Sequence, residues 1–475
     1  MKKSRRDFLK ATGLAALSAG IFSSSKVNLF PKVFSRNSNR PNIVFLFSDD
    51  HTRFNLGCYG DRGINTPNLD TMAKDGIIFN RAYVASPQCS PSRAAILTGR
   101  YPHTVGASRL HANALPEFID IVRLFKNGGY YTGAYRKVHQ DIIQNNFDFY
   151  GNDLEPLRTF FNRRPKNKPF FLWFGSRDPH RPYGPNAFTP AHRPEEVTVP
   201  EFLPDTPKVR QDLAYYYDEI ARFDKDCGII LELLGEYNLT GNTMVVMSGD
   251  NGMPFPRAKG TLYEAGVNVP LIIRWPGVIK GGSISNELVS LIDLPATWLD
   301  IAGISVPQEF EGISLAPYLK NEMQYVPREY VFFERNWHDD WVPQRGCVTD
   351  KYKMIINYRP EVPYLPSLDL YESDSFIEIM RLGDAGGLDG NLRWYLNTTT
   401  PILELYDIDS DRGEWNNLAE NPNYKDIRDK LVEEISKWMF DTTDFLPPFK
   451  GSFPAGYPQY ANINPINAGI TWPKK

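Results

Sequence analysis

Apolar runs that alternate with helical segments are the feature that most constrains how this chain folds. Residues 42–47 read NIVFLF, and further apolar runs cover residues 130–135, 169–174 and 243–247. A continuous apolar run is typical of a parallel strand that is covered on both faces. Helical patterns lie between the runs, including a long one over about 210–235. The alternation predicts an α/β sandwich with a large, mostly parallel sheet flanked by helices.

Polar side chains follow these runs directly. Asp49 and Asp50 come after the first run, and Asp250 and Asn251 come after the last. The two middle runs are followed by Lys137 and His139 and by Arg177, Asp178 and His180. Because ligands bind beyond the carboxyl ends of parallel strands, we expect these side chains at one edge of one sheet. Carboxylate and amide oxygens there suit Ca²⁺ or Mg²⁺ rather than a thiolate-bound metal.

A cysteine at the start of a predicted helix is the nucleophile candidate. Residues 89–103 read CSPSRAAILTGRYPH, and Pro91 near the start of a helix over 91–98 places Cys89 at or just before its N-terminus. Free N–H groups at that position favour an anion or a lowered thiol pKa. Arg93 lies one turn further on and can turn back towards the same site. The spacing between Cys89 and Arg93 is too short for the Cys-x5-Arg loop of thiol phosphatases.

The segment C-S-P-S-R with LTGRYPH after it resembles the signature of type I sulfatases. Residues 129–139 are similar to a second family signature, G-Y-x-T…G-K-x-H, although Arg136 stands where the family has glycine. The similarity continues to residues 404–419. It implies an alkaline-phosphatase-like sandwich with a small C-terminal antiparallel sheet. Within the family, the chain looks most like heparan N-sulfatase (sulfamidase) and bacterial polysaccharide sulfatases, although Lys259 stands where sulfamidase has arginine.

The resemblance also implies the roles of individual residues. Cys89 would be oxidised to Cα-formylglycine, whose hydrated form attacks sulfur. One Ca²⁺ per chain, in preference to Mg²⁺, would be held by Asp49, Asp50, Cys89, Asp250 and Asn251. The implied catalytic residues are Arg93 and Lys137 at the nucleophile, His180 and Lys259 at the leaving group, and His139 as the base that regenerates the aldehyde.

The activity implied is that of a sulfatase that hydrolyses sulfate esters or sulfamates of a sulfated polysaccharide or oligosaccharide, in the manner of N-sulfoglucosamine sulfohydrolase. One alternative is a phosphatase or phosphodiesterase of the alkaline phosphatase superfamily. Such enzymes use serine or threonine and usually two metals, so Cys89 counts against it. The other alternative is a non-catalytic protein that binds sulfated glycans. A formylglycine-generating or anaerobic sulfatase-maturating enzyme is an implied partner.

The N-terminus is typical of an export signal. Residues 1–10 read MKKSRRDFLK and precede a short apolar stretch, and Arg5-Arg6 resembles a twin-arginine signal. We therefore predict Tat export to the periplasm or outside the cell. The predicted domains are a signal and linker over 1–35, a catalytic domain over 36–330 and a C-terminal subdomain over 331–475.

Composition and further motifs narrow the possibilities. A net charge of −3 argues against a nucleic-acid binder, and no apolar run reaches the ~18 residues of a membrane span. His103, His111 and Arg109 are candidates for substrate contacts, with structural packing as an equal alternative. The loop-rich segment 359–403 is expected to shape the substrate pocket.

Overall fold

Strand β1 (Asn42–Ser48) lies inside the large sheet, and each of its residues is buried. The computed structural model describes residues 40–446 except Asn186. The predicted export signal and the tail over 447–475 lie outside the described residues. Burial of both faces of β1 confirms the prediction that NIVFLF forms an interior strand.

The remaining strands fall into two groups along the chain. The large sheet also contains β2 (Ile77–Tyr83), β3 (Tyr131–Arg136), β4 (Phe149–Gly151), β5 (Phe170–Gly175), β6 (Thr243–Gly249), β7 (Leu271–Arg274) and β8 (Ser283–Ser290). The second sheet contains β9 (Val331–Trp337), β10 (Trp341–Val348), β11 (Tyr352–Asn357) and β12 (Leu403–Asp407).

Helices connect and cover the strands. The α-helices of the described residues are α1 (Pro67–Lys74), α2 (Cys89–Thr98), α3 (Ile121–Asn127), α4 (Asp141–Gln144), α5 (Arg158–Arg163), α6 (Pro207–Glu236), α7 (Glu264–Val267), α8 (Asp293–Ile301), α9 (Ala316–Leu319), α10 (Leu368–Tyr371), α11 (Asp374–Asp384) and α12 (Lys425–Asp441). Short 3-10 helices cover Gly57–Tyr59, Thr240–Asn242, Gly390–Leu396 and Pro422–Tyr424. None of the helices in the described ranges is both long enough and apolar enough to cross a bilayer.

The large sheet has the strand order β4-β3-β5-β1-β6-β7-β2-β8. Its first five strands pair in parallel, β7 runs antiparallel to both of its neighbours, and β2 pairs with β8 in parallel. The predicted mostly parallel α/β sheet is therefore confirmed.

Alternate residues of β1 enter two different hydrophobic cores. Phe45 packs on one face against Trp173 and against Trp298 of α8, with ring centroids 5.2 and 4.9 Å apart. Val44 and Leu46 face the opposite core, which α6 covers with its apolar side. Since helices bury both faces, the sheet is the middle layer of a sandwich.

The second sheet is antiparallel, with the strand order β12-β11-β10-β9. The sequence predicts a hairpin over 345–357 with a turn at Asp350-Lys351, and β10 and β11 form it. Helix α12 supplies Leu431, Ile435 and Trp438 to the core beneath this sheet. The expected small antiparallel sheet with one packed helix is therefore present.

Candidate active site

The strands whose ends carry the candidate residues lie side by side in the large sheet, in the order β3, β5, β1, β6. They pair in parallel, so their carboxyl ends meet at one edge. Asp49 and Asp50 leave β1 there, next to Asp250 and Asn251, which leave β6. The backbone N–H of Asp50 donates to Asp250 Oδ1 over 2.9 Å, which ties the two strand ends together.

Three carboxylates and a thiol form a buried cluster at this edge. Asp49, Asp50, Asp250 and Cys89 each present one potential ligand atom, and these atoms lie within 4.8 Å of one another. Asn251 joins them by donating from Nδ2 to Asp50 Oδ1 over 2.8 Å. We call these five residues the acidic cluster.

The donor atoms of the acidic cluster fit a divalent metal ion. Asp49 Oδ1 and Asn251 Oδ1 are buried and accept no hydrogen bond from any described residue. Buried polar atoms normally have a partner, so two orphaned acceptors in one cluster need an explanation. Carboxylate and amide oxygens are the ligands that Ca²⁺ and Mg²⁺ prefer.

Asp49 and Asp250 of the acidic cluster differ in how well their surroundings stabilise the charged carboxylate. Burial, followed by the charge of Asp49, raises the pKa of Asp250 to about 7. Burial alone would also raise the pKa of Asp49, but Lys137 and Arg93 hold it well below its usual range. The charged form of Asp250 is therefore less well stabilised than that of Asp49, and a bound cation would stabilise it further.

Cys89 is the first residue of α2, a helix in which every residue is buried. Its Sγ lies 3.6 Å from Asp50 Oδ1. The lowered thiol pKa predicted from the helix N-terminus is wrong. Burial, and then the neighbouring charge of Asp49, raises the pKa of the Cys89 thiol well above its usual value. The helix end is a weaker influence than a dehydrated site that already contains three carboxylates.

Basic side chains surround the acidic cluster in fixed positions. Arg93 is fully buried; its Nε donates to Asp250 Oδ2 over 2.8 Å and its Nη1 donates to the carbonyl of Lys137 over 2.7 Å. Lys137 Nζ donates to Asp49 Oδ2. On the other side, Lys259 Nζ donates to Asp50 Oδ2 over 2.7 Å and to Asp369 Oδ2 over 2.6 Å.

A cleft of about 520 Å³ gives access to Cys89. Five of the six residues predicted as catalytic line this cleft, namely Cys89, Lys137, His139, His180 and Lys259. Arg93 contacts the cluster from inside the fold. His180 Nε2 lies 3.8 Å from Asp50 Oδ2 and 3.8 Å from Asp369 Oδ2. The structure thus brings the predicted residues together around one cleft.

Asp369, His338 and Asp339 are among the cleft residues that were not predicted individually. Asp369 lies on α10, within the loop-rich segment 359–403 that is expected to shape the pocket. Burial opposes its ionisation, but Lys259 holds the pKa of Asp369 well below its usual range. His338 and Asp339 lie between β9 and β10, and His338 Nδ1 is 2.7 Å from Asp339 Oδ2. None of the three residues belongs to a recognisable motif. The sequence indicated only that the segment containing Asp369 shapes the pocket.

The three candidates for substrate contacts lie in different surroundings. His111 lines the cleft, in line with a substrate-side position. His103 packs in the interior, where its ring nitrogens lie 3.1 Å from Glu334 and 2.8 Å from Thr442. Arg109 lies over the Trp337 ring at 6.0 Å. Of these three residues, His111 alone is among those that line the described cleft.

Comparison with protein families identifies two matching regions. The family model named Sulfatase matches residues 41–155 and 152–304, more than half of the chain. A second model, N-sulphoglucosamine sulphohydrolase, C-terminal, matches residues 257–374.

Curated relatives and solved structures resemble most of the chain. An ulvan-active sulfatase of Formosa agariphila is 29% identical over 454 residues, which cover 84% of this chain and 75% of the relative. Human N-sulphoglucosamine sulphohydrolase is 29% identical over 462 residues, which cover 85% of this chain and 91% of the relative. A protein solved in complex with its substrate D-glucosamine-2-N,6-O-disulfate has a TM-score of 0.65 and 21% identity, with coverage of 86% and 100%. This last likeness supports the fold.

The protonation of His139 leads to a prediction about stability in acid. Burial, and then the charges of Lys137 and Arg93, lowers the pKa of His139 to about 3. The unfolded chain, with an ordinary pKa near 6.5, binds this proton first as the pH falls. The resulting loss of stability begins below about pH 6.5 and grows until the pH reaches the folded value.

We expect His139→Gln to weaken this acid sensitivity, because glutamine does not titrate. Between pH 7 and pH 5 the wild type should lose about 1 to 2 kcal/mol more unfolding free energy than the variant. Urea unfolding of both proteins at the two pH values measures the difference. Equal losses in the two proteins would contradict the prediction.

Proposed function

Because the chain belongs to the sulfatase family, we propose that it hydrolyses sulfate esters or sulfamates of a sulfated polysaccharide or oligosaccharide. The observation that carries this proposal is the floor of the cleft, where the acidic cluster meets the side chains of Arg93, Lys137 and Lys259. Such a floor suits a small, anionic tetrahedral group whose charge changes during reaction.

Two groups complete the proposed site. When bound to Asp49, Asp50, Asp250 and Asn251, a divalent cation, for which we favour Ca²⁺, would orient a substrate oxygen and offset the charge that develops on it. When formed from Cys89, formylglycine in its hydrated state would supply the nucleophilic oxygen.

The protein's own residues position these groups and the substrate. Arg93 is anchored at both ends of its guanidinium, so its charge is held beside residue 89 without rearrangement during reaction. Lys137, whose backbone carbonyl accepts from Arg93, donates from its Nζ to Asp49. We assign both residues to holding the nucleophile and the reacting sulfate.

His180 and Lys259 occupy the side of the cleft that Asp369 closes. His180 Nε2 is close to both Asp50 and Asp369, and its Nδ1 lies 2.5 Å from the carbonyl of Arg181, which fixes the ring. We assign His180 to donating a proton to the departing oxygen or nitrogen, and Lys259 to binding the group that leaves.

The substrate proposal draws on two kinds of relative. The match of residues 257–374 to the C-terminal region of N-sulphoglucosamine sulphohydrolase favours an N-sulfated glucosamine. The relative that is active on ulvan favours an O-sulfated polysaccharide. Lys259, where sulfamidase has arginine, is the residue whose contacts would differ between the two.

We further propose that the protein is exported and matured before use. The basic start with Arg5-Arg6 supports Tat export to the periplasm or the outside. A formylglycine-generating or anaerobic sulfatase-maturating enzyme would modify Cys89, and a signal that exports folded proteins is compatible with modification inside the cell.

Sulfate release from defined sulfated oligosaccharides tests the proposed activity. We expect release from at least one N- or O-sulfated substrate, and faster hydrolysis of an aryl sulfate than of the matching aryl phosphate. Cys89→Ala should lower kcat by at least about 10³-fold, because the nucleophile is lost. Cys58→Ala, outside the cleft, is the matched control and should keep its activity.

Two results would each favour an alternative function over the proposed sulfatase activity. Preference for the aryl phosphate would favour the phosphatase alternative. Binding of sulfated glycans without any release, in protein whose Cys89 is verified as modified, would favour the glycan-binding alternative.

A metal titration tests the acidic cluster directly. Ca²⁺ should raise the melting temperature of the wild type, by the equivalent of about 2.7 kcal/mol at a hundredfold excess over Kd, and a chelator should reverse it. Asp250→Asn should remove most of the response because a ligand charge is lost.

Asp224→Asn is the control for this titration. Asp224 is a buried carboxylate on α6 that accepts hydrogen bonds from Asn68 and from the backbone of Leu69. Its variant should keep the Ca²⁺ response even if it is less stable. A wild type that does not respond to Ca²⁺ or Mg²⁺ would count against a metal at the acidic cluster.

A further inference from the structure

Two histidines are in direct contact in the wall of the cleft. His111 Nδ1 and His139 Nε2 lie 2.9 Å apart, and the ring centroids are 5.1 Å apart. His111 is exposed, whereas His139 is partly buried, and both line the cleft together with Cys89. At this separation one ring nitrogen donates a hydrogen bond and the other accepts it.

Neutral histidine has two tautomers, and the contact couples those of the two rings, because one nitrogen of the pair must donate and the other must accept. Burial lowers the pKa of both rings, that of His139 to about 3, so both are neutral near pH 7. In a neutral imidazole, one nitrogen carries the proton and the other is an acceptor. If His139 donates from Nε2, then its Nδ1 is left with a lone pair; if it accepts, its Nδ1 carries the proton.

The charges around His139 decide between these possibilities. His139 Nδ1 is buried and has no hydrogen-bond partner among the described residues. After burial, the positive charges of Lys137 and Arg93 are the largest influences that lower the pKa of His139, and both disfavour additional positive charge on the ring. A lone pair on His139 Nδ1 is favourable beside these two positive charges, whereas an N–H at the same atom would be buried without an acceptor. The field therefore favours the proton on Nε2.

We propose that His111 is a positioning residue, whose Nδ1 accepts the Nε2–H of His139 and so leaves His139 Nδ1 free to accept a proton in the cleft that both rings share with Cys89. This inference rests on the proposed function for its chemical use, but the hydrogen bond itself does not depend on catalysis. His111 also remains an acceptor when His139 becomes cationic. The arrangement corresponds to the third group that orients a catalytic base.

The backbone around both histidines is held in an unusual conformation by specific hydrogen bonds. His111 and His139 have φ values of 63° and 60°, in the left-handed region that residues other than glycine rarely adopt. The backbone N–H of His111 donates to Ser90 Oγ over 2.6 Å, directly beside Cys89. Gln140 Nε2 donates to the carbonyls of both Ser90 and Ala112. The two loops are thereby fixed to the start of α2, and unusual backbone of this kind concentrates at functional sites.

The tautomer of His139 can be measured without turnover. Ring ¹⁵N NMR of the full chain labelled at its 7 histidines distinguishes a protonated from an unprotonated nitrogen, and His139→Gln assigns the signal. In the wild type near pH 7, we expect His139 to be protonated at Nε2 and not at Nδ1. His111→Ala should lower the fraction of His139 that is protonated at Nε2, because the charges of Lys137 and Arg93 then act without a fixed acceptor. His111→Asn should restore the wild-type pattern, because asparagine Oδ1 replaces the acceptor and asparagine tolerates a left-handed φ.

Kinetics of the same variants test the positioning role. His111→Ala should lower kcat by at least about tenfold while KM changes less than about twofold, and His111→Asn should recover most of the loss. Wild-type His139 protonated at Nδ1, or a tautomer that His111→Ala leaves unchanged, would overturn the inference. If the tautomer pattern holds but no sulfated substrate is turned over, the proposed function fails and the hydrogen bond stands.

Discussion

Repulsion among buried carboxylates at the ends of β1 and β6 is the constraint on which the rest of the site depends. Asp49, Asp50 and Asp250 are all buried, and each places a carboxylate oxygen within 4.8 Å of the other two. Such a group is unfavourable unless positive charge surrounds it. The positions of Arg93, Lys137 and Lys259 follow from this requirement, since each contacts one of the three carboxylates.

The same cations have a second use in the proposed reaction. Held in place by the carboxylates, they form a rigid positive rim around residue 89, and little reorganisation is needed when a sulfate group enters. The sheet contributes by placing four strand ends next to one another, and α2 contributes by bringing Cys89 and Arg93 to the same point. Fold and charge balance therefore produce the site together.

Much of this arrangement is readable from the sequence for physical reasons. A fully buried strand leaves an uninterrupted apolar run, and the polar residues after each run share an edge because neighbouring strands are parallel. The thiol pKa was predicted wrongly because the helix end is a local signal, whereas the effect of Asp49 on Cys89 arises only after folding. Asp369 and His338 were missed for the same reason, since they reach the cleft from a distant part of the chain. His111 was a candidate, but its contact with His139 depends on two loops that no local pattern connects.

In the proposed mechanism, residue 89 acts as a formylglycine nucleophile beside a metal held by the acidic cluster. Mass spectrometry of the peptide spanning residue 89, taken from a preparation with measured sulfate release, tests it most directly. We expect an aldehyde or its hydrate in place of the thiol, in a fraction of molecules that rises with specific activity. An unmodified cysteine at position 89 in fully active protein would rule out the formylglycine nucleophile.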